Sequence, residues 1–343
     1  MKSLINLGMA IGAAAATILI VEIVLHIVRP AVNYAYMPQD IAISHFQPSA
    51  LLPAELRRNS RSRFKMLEFD TIVETNSLGL RDDEIDFSKP RILCLGDSFT
   101  FGYGVESSET FCSILERRFG GQFDFVNAGF ADGFSPDSYA LWLRHNIETV
   151  KPKAILVTLF QNDASEATSN RWLRSGRIMT EADEGWPDRI EKPGVIVTEN
   201  GNLMRDTMLA KLPPLVARLL KNSYLVGLMR DRILKDAEKE VGGTTTNVMP
   251  QEIPRLKRSL ALLSEAAQGR PIRFHLIAYP AQRELSPMDK AVLEFGGSHG
   301  IPVIYSYQDF TSREFFHFDP HWNRLGHEKA AAYLYPALLR LGL

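Results

Sequence analysis

The stretch RILCLGDSFTFGYGV, Arg91–Val105, indicates the fold most clearly, and it contains a serine, Ser98, whose role has to be identified. Its apolar run, Ile92–Leu95, predicts a short buried strand that ends at Gly96. Ser98 follows two residues later, where the next helix begins and presents free backbone N–H groups and a positive dipole. Ser98 is therefore a candidate nucleophile, a candidate member of a phosphate-binding loop, or an ordinary helix N-cap.

A phosphate-binding loop does not fit this sequence. Such a loop needs a lysine and a hydroxyl residue directly after its last glycine. Here Gly102 and Gly104 are followed by Tyr103 and Val105. The dinucleotide pattern G-x-G-x-x-G does not open a helix here either. By itself, Ser98 then fits a capping residue at least as well as a nucleophile.

Apolar strands alternate with helices from residue 90 onward. Four further strands are predicted at 123–129, 154–160, 272–280 and 301–306. Helices are predicted at 108–120, 136–150, 253–267, 289–296 and 327–341. This alternation predicts an α/β fold, a three-layer α/β/α domain with a mainly parallel central sheet. Ligands of such sheets bind at the carboxyl ends of the strands.

A serine nucleophile needs a base, and the base needs an orienting group. The late segment FFHFDPHWNRLGHEK supplies both, with Asp319 and His321 two residues apart. This spacing lets the carboxylate reach one imidazole nitrogen while the other nitrogen faces a serine. His327 begins the last predicted helix, where we expect it to pack or to cap.

The same segment leaves two other interpretations open. His317, Asp319 and His321 alternate, so on an extended strand all three would face one way, as metal ligands do. They could also be surface polar residues before a helix. Pro320 does not decide between these arrangements.

Two other strand ends offer donors for an oxyanion. Gly129 and Gly133 follow the second strand, and the backbone N–H of either could point into the site. Asn162 follows the third strand and carries a side-chain NH₂. The alternative for Asn162 is turn or capping chemistry.

The overall composition restricts partners and cofactors. The 343 residues carry a net charge of −1, so bulk charge gives no reason to expect a nucleic acid partner. The two cysteines, Cys94 and Cys112, have no metal spacing and form no disulfide framework. Cys94 lies in an apolar run and is expected to be a buried thiol.

The N-terminus predicts a membrane anchor. Leu4–Val28 is long enough to cross a hydrocarbon layer of about 30 Å, and its one charged residue is Glu22. Glu22 lies near the end of the stretch, where His26 shares its helix face and could share a hydrogen bond. A cleaved signal peptide with small residues at Ala13–Ala16, or a buried or interfacial helix, would also account for the stretch.

These features give a domain organisation. Residues 1–30 are the anchor, residues 31–89 are a juxtamembrane segment and domain lead-in, and residues 90–343 are the main domain. An insertion at about 165–250 contains a predicted hairpin at 194–204 and a predicted helix at 219–235. We expect it to be either a lid over the strand ends or an extra packing subdomain.

Four blocks of the chain, in order over about residues 90–340, resemble the SGNH (GDSL-type) hydrolase family. They are GDSFTFG, NAGFADGFS, QND and DPHWNRLGH. The resemblance implies an SGNH/flavodoxin-like fold, with Ser98 as nucleophile and first oxyanion donor, His321 as base and Asp319 as its orienter. It implies Asn162 as another oxyanion donor and a glycine N–H as the third. For that glycine we favour Gly133, with Gly129 as the reserve.

The sequence also departs from the family pattern. Phe160 and Gln161 stand where the third block commonly begins with glycine, and the last block has D-x-H followed by Trp322 instead of D-x-x-H. This variant resembles the membrane-associated, polysaccharide O-acetylation branch. The resemblance implies a membrane-anchored, extracytoplasmic serine esterase that needs no cofactor and acts on acyl esters of carbohydrates or lipids. An O-acyltransferase or a non-catalytic glycan-binding subunit are the alternatives.

Overall fold

The computed structural model describes residues 2–28, 46–66, 68–130, 134–180, 182–197, 203–205, 213, 215–216, 220, 223–229, 250–277, 284–305, 309–317 and 319–342. The strands in these ranges are β1 (Phe46–Gln47), β2 (Glu55–Leu56), β3 (Arg61–Lys65), β4 (Asp70–Glu74), β5 (Arg91–Gly96), β6 (Asp124–Gly129), β7 (Ala154–Leu159), β8 (Arg171–Arg174), β9 (Arg177–Ile178), β10 (Arg189–Glu191), β11 (Val195–Val197), β12 (Leu203–Arg205), β13 (Ile272–Leu276) and β14 (Val303–Tyr305).

The α-helices of the described residues are α1 (Lys2–Val28), α2 (Ser98–Phe101), α3 (Phe111–Arg118), α4 (Pro136–Val150), α5 (Asn162–Ser169), α6 (Ile253–Ala266), α7 (Pro287–His299) and α8 (Arg324–Arg340). Single 3₁₀ turns lie at Ser107–Glu109, Pro250–Glu252 and Ser312–Glu314. Residues 224–229 also form a short helical segment.

The central sheet has five strands in the order β14-β13-β7-β5-β6, and every pairing in it is parallel. The residues of β6, β7 and β13 are buried throughout, as expected for a sheet covered on both faces. The predicted mainly parallel α/β sheet is confirmed. β5 lies between β6 and β7, so the loops after these three strands meet at one edge of the sheet.

Alternate residues of β5 point to opposite faces of the sheet. Leu93 and Leu95 belong to a hydrophobic cluster that includes residues of α4, α6 and α7. Ile92 and Cys94 belong to a second cluster that includes residues of α3 and α8. These two clusters are the interfaces of the predicted three-layer α/β/α arrangement, which is confirmed. Cys94 and Cys112 are both buried free thiols.

The lead-in from residue 46 packs on the main domain. β1 pairs with β2, and β3 pairs with β4, both antiparallel. Phe46, Leu52, Phe64 and Leu80 are buried in the same cluster as α4 and α6. Residues 29–45, the first part of the predicted juxtamembrane segment, lie outside the described residues.

The described part of the insertion begins as a small sheet in the order β10-β8-β9. Trp172 in β8 is fully buried, and its Nε1 donates to Asp137 Oδ2 of α4 at 2.6 Å. The Arg255 guanidinium of α6 stacks over the Trp172 ring at 3.6 Å. This part of the insertion therefore packs against the helices of the main domain. The predicted hairpin is present as the β11–β12 pair, and its turn at 200–201 lies outside the described residues.

The N-terminal stretch forms one continuous helix, α1. Its Gly8–Val28 portion has a mean hydropathy of 2.3, and its apolar side chains are exposed. By length and composition it can cross a membrane, and a signal sequence has the same properties.

Candidate active site

Ser98 is the first residue of α2, directly after β5. The helix is capped by Asp97, whose Oδ1 accepts the backbone N–H of Phe99 at 3.0 Å. The capping role that the sequence left open for Ser98 thus belongs to its neighbour. The N–H of Ser98 lies in the first turn, where backbone donors have no acceptor within the helix. The Ser98 hydroxyl is half-buried at the carboxyl edge of the sheet.

The hydroxyl of Ser98 meets the imidazole of His321. Ser98 Oγ lies 2.6 Å from His321 Nε2, although 223 positions separate the two residues in the chain. On the other side of the ring, Nδ1 lies 2.6 Å from Asp319 Oδ1. The structure therefore brings together three of the predicted site residues in one hydrogen-bonded chain.

The proton positions in this chain follow from the donors available. An ionised carboxylate accepts only, so His321 Nδ1 carries the proton that faces Asp319. Nε2 of the neutral ring then accepts the hydrogen bond from Ser98 Oγ. This is the tautomer that can act as a base toward the serine.

Asp319 reaches His321 through the D-x-H spacing of the loop. Its Oδ1 accepts both the ring Nδ1–H and the backbone N–H of His321, the latter at 2.8 Å. The carboxylate side chain is only 2% exposed, whereas that of His321 is 13% exposed. The short spacing thus lets one carboxylate oxygen fix both the backbone and the ring of the histidine.

Aromatic rings hold the imidazole on two sides. Tyr103 stacks on His321 with centroids 4.4 Å apart and planes 26° apart. Phe99 lies 5.0 Å from the imidazole in a tilted contact. Both aromatics follow Ser98 in the GDSFTFGYG stretch, so the segment that carries the serine also packs the histidine.

Of the predicted oxyanion donors Asn162 and Gly133, the structure describes only the first. Asn162 is the first residue of α5, directly after β7, and it is half-buried at the same sheet edge as Ser98. Its Oδ1 is buried and has no hydrogen-bond partner among the described residues. Gly133, the favoured glycine, lies outside the described residues.

Gly129, the reserve glycine, does not offer its N–H to the site. That N–H donates to Asn127 Oδ1 at 3.0 Å. Gly129 is needed for a different reason, because a Cβ on it would lie 2.1 Å from the backbone nitrogen of Phe101. The absent side chain lets α2 approach β6. Gly129 therefore helps to place the helix that carries Ser98 and is not an oxyanion donor.

The lead-in supplies a residue that the sequence analysis missed. Glu68 accepts the backbone N–H of His317 at 2.6 Å and that of Asp319 at 3.2 Å. The loop that carries the orienting carboxylate is therefore tied to the lead-in. The segment around Glu68 has no clear period or motif, and no local signal identifies this contact.

Arg81 is a second such residue and is completely buried. Its guanidinium donates to the backbone carbonyls of Phe101, Gly102 and Val105, which lie in the segment that follows Ser98, at 3.1, 2.5 and 2.6 Å. Burial lowers the pKa of Arg81 to about 10. The cation is thus held by carbonyl dipoles, and it fixes the loop that follows Ser98. A lone arginine in a loop sequence would not reveal this role.

Two buried carboxylates lie behind the site. Burial raises the pKa of Asp97 to about 6, while its cap hydrogen bond and the nearby His321 act in the opposite direction. Burial raises the pKa of Asp163 well above its usual range, with the charge of Asp97 as the next cause. Asp163 accepts the N–H of Phe160 at 2.8 Å and the hydroxyl of Tyr139 at 2.9 Å. Asp163 therefore braces the turn from Phe160 to Asp163, which contains Asn162.

The two other histidines of the late segment, His317 and His327, differ in their exposure. His317 is exposed, while Asp319 is buried against His321. His327 is buried, and its Nδ1 accepts the N–H of Phe111 at 3.3 Å, as expected of a packing residue. Among the residues that the structure describes, no cluster of three or more His, Cys, Asp or Glu side chains is arranged to hold a metal ion.

No family model matches the chain, and comparison with curated proteins gives no match. Similar solved structures include a protein assigned to the G-D-S-L lipolytic family from Desulfitobacterium hafniense DCB-2, at 11% identity and a TM-score of 0.38, with 72% of this chain and 99% of that chain covered. They also include a catalytic mutant of an acetylxylan esterase from Geobacillus stearothermophilus, at 12% identity and a TM-score of 0.39, with 74% and 94% covered. An acetyl xylan esterase from the rumen bacterium Butyrivibrio proteoclasticus aligns at 12% identity and a TM-score of 0.38, with 76% and 66% covered. At 11–12% sequence identity, these alignments assign no role to any residue of this chain.

Proposed function

We propose that this chain is a membrane-anchored serine esterase of the SGNH type, with Ser98, His321 and Asp319 as its catalytic triad. One observation carries the proposal: the hydrogen-bonded chain from Ser98 Oγ through the imidazole to the buried carboxylate. A serine outside such an arrangement is a weak nucleophile, and this one has both a base and an orienter. The assembled triad favours a catalytic protein over a non-catalytic glycan-binding subunit.

In the first half of the reaction, Ser98 Oγ attacks the carbonyl carbon of the ester while His321 Nε2 takes the hydroxyl proton. Asp319 stabilises the imidazolium through Nδ1 and does not take the proton itself. The tetrahedral intermediate then breaks its bond to the leaving alcohol oxygen. Nε2 returns the proton to that oxygen, and an acyl-serine ester is left.

In the second half, a water molecule attacks the acyl-serine with the same imidazole as base. The bond to Ser98 Oγ breaks, the serine regains its proton, and the carboxylic acid leaves. In both halves we assign the negative oxygen to the Ser98 N–H, the Asn162 side chain and the Gly133 N–H. Each oxyanion donor is worth roughly 2.7–4 kcal/mol in enzymes where one was removed. No step calls for a cofactor.

For the substrate, we propose O-acetylated or O-acylated carbohydrates or small lipid esters. We place residues 1–30 as a single-pass anchor, residues 31–89 as the juxtamembrane segment and lead-in, and residues 90–343 as the extracytoplasmic catalytic domain, with the insertion at about 165–250. The exposed apolar surface of α1 supports the anchor, because such a surface is stable in lipid.

The test is hydrolysis of p-nitrophenyl acetate by the full-length protein in detergent, with labelling by a fluorophosphonate probe. We expect Ser98→Ala to lose the label and to lose activity by roughly 10⁴-fold or more. Ser264→Ala is the matched control, because that hydroxyl donates to Leu260 O within its own helix, α6. Equal activity in Ser98→Ala and the wild type would disprove the mechanism.

Analysis of the reaction products identifies the acyl acceptor. With an acetylated oligosaccharide as donor and a free oligosaccharide present, hydrolysis releases acetate. An O-acyltransferase would instead move the acetyl group to the second sugar. Both reactions use the same triad, so Ser98→Ala must abolish either one.

A further inference from the structure

Glu22 is the one acidic residue in the Gly8–Val28 portion of α1. Its side chain is 21% exposed, whereas its neighbours Ile20 and Ile23 are 60% and 51% exposed. A carboxylate near a hydrocarbon layer is costly unless hydrogen-bond donors surround it. Three donors to Glu22 come from the insertion, about 200 residues later in the chain, and His26 Nδ1 of α1 lies 3.3 Å from its Oε1.

The Glu22 carboxylate caps the helical segment 224–229. Its Oε1 accepts the N–H of Tyr224 at 2.6 Å, and its Oε2 accepts the N–H of Leu225 at 3.1 Å. The hydroxyl of Ser223 donates to Oε2 at 2.9 Å and accepts the N–H of Val226 at 3.1 Å. The first four N–H groups of a helix have no acceptor within it. Here all four are satisfied, two of them by the Glu22 side chain of α1 and two by Ser223, whose carbonyl accepts the N–H of Gly227 at 3.0 Å.

Further contacts surround this cap. The ring of His26, one helical turn after Glu22, meets Tyr224 edge-on with centroids 4.8 Å apart. Tyr224 is only 3% exposed. Leu228 packs against the hydrophobic cluster of the main domain. Segment 223–229 therefore contacts both α1 and the main domain, while Met229 stays exposed.

The position of Glu22 along α1 sets the depth of this contact. Val28 is the sixth residue after it, which is about 9 Å along the helix. Interfacial helices bury their apolar faces about 5–10 Å into the boundary between headgroups and acyl chains. Segment 223–229, SYLVGLM, has no charged residue, and Met229 is 57% exposed. Its depth and composition both fit that boundary.

The geometry points to segment 223–229 as a second membrane-contacting element, docked on α1 through Glu22 with its exposed apolar side against lipid. The inference rests on the proposed membrane anchor and is independent of the esterase chemistry. It also favours retention of α1, because cleavage of α1 as a signal would remove the cap from the segment. The catalytic domain is then held against the bilayer at two points.

The experiment uses the full-length protein in vesicles of phosphatidylcholine and phosphatidylglycerol. Met229→Cys is labelled with an environment-sensitive fluorophore, which is selective because Cys94 and Cys112 are buried. We expect quenching by lipids brominated near the top of the acyl chains and protection from aqueous iodide. Phe87→Cys is the control, since Phe87 is 60% exposed and precedes β5. Its label should respond only to iodide. Iodide quenching at 229 without lipid quenching would overturn the inference.

A second variant tests the docking itself. Glu22→Leu removes the acceptor while α1 stays apolar, so cosedimentation with vesicles should not change. We expect the label at 229 to lose its lipid quenching and to become accessible to iodide. Unchanged quenching in Glu22→Leu would refute the Glu22 contact, and an intact mass that lacks α1 would refute the anchor. Ester hydrolysis by the same samples tests the proposed function separately.

Discussion

Glu68 Oε2 accepts the backbone N–H of Asp319 at 3.2 Å, across 251 positions of the chain. Its other carboxylate oxygen accepts the N–H of His317. The loop that orients the imidazole is thus held by a residue outside the α/β layers. Arg81, from the same lead-in, holds the loop after Ser98. The lead-in therefore contacts both the segment that follows Ser98 and the loop that carries Asp319.

Glu68→Gln should lower kcat without unfolding the protein. A glutamine keeps one oxygen acceptor, but its NH₂ group faces the other loop N–H and repels it. We expect kcat for p-nitrophenyl acetate to fall by about 10- to 100-fold with little change in KM, since misplacement of a catalytic group by about 1 Å has effects of this order. Glu74→Gln is the control, because Glu74 forms an exposed ion pair with Arg61. Equal kcat values in the two variants would contradict a positioning role.

Asp319→Asn should leave the fold intact and nearly abolish ester hydrolysis. The amide can donate its N–H to His321 Nδ1, which moves the ring proton to Nε2. Nε2 can then no longer accept the proton of Ser98. A loss in kcat of about 10⁴ is expected from the equivalent change in a serine protease. The circular dichroism spectrum should be that of the wild type, and a smaller loss than tenfold would argue against the proposed orienter.

Arg81→Met should destabilise the protein by about 3 kcal/mol or more. The substitution removes the Arg81 donor from the buried Val105 carbonyl and from the Gly102 carbonyl, which keeps the N–H of Val105 at 3.2 Å, and a buried acceptor left unsatisfied costs about 1–3 kcal/mol. Arg81→Lys should recover only part of the loss, because one ammonium cannot reproduce the planar fork. Urea unfolding of the full chain in detergent measures the difference. The exposed Arg63→Met variant should leave the unfolding free energy nearly unchanged.

Gly129→Ala should displace the helix that carries Ser98. The new methyl group would overlap the backbone of Phe101, which cannot turn away as a flexible side chain can. We expect slower labelling by a fluorophosphonate probe together with a lower unfolding midpoint. Gly120→Ala tests backbone strain alone, because Gly120 has a φ of +64° and open space around it. If Gly120→Ala slowed labelling as much as Gly129→Ala, the close approach would not be the cause.

His327→Gln should reduce the acid sensitivity of the fold. Burial lowers the pKa of His327 to about 3, with the charges of Arg81 and His321 as further causes. Between about pH 6.5 and 3 the unfolded chain binds a proton that the folded chain excludes. The unfolding free energy therefore falls as the pH falls, by about 2 kcal/mol between pH 6.5 and 5 for this histidine. Glutamine does not titrate, so the difference between the variant and the wild type should change over this window. Parallel curves in urea unfolding would contradict it.

The layered α/β fold could be predicted from the amino-acid sequence alone, because buried parallel strands and their covering helices have strong local patterns. β5, β7 and α4 lie within about one residue of their predicted bounds. The sequence also indicated Ser98, Asn162, Asp319 and His321 as site candidates, since each follows a strand or lies in a dense polar motif. These signals are local, and so the chain alone displays them.

The tertiary structure was needed to show which side chains and backbone groups form hydrogen bonds with each other, and which donors already have an acceptor. In the folded chain, the side chain of Asp97 caps α2, and the N–H of Gly129 donates to Asn127 Oδ1. The fold also brings Glu68, Arg81 and Glu22 to backbone groups that are remote in sequence. Such contacts depend on where two distant segments meet, and a single charged side chain in a loop has no periodicity that could reveal its partner.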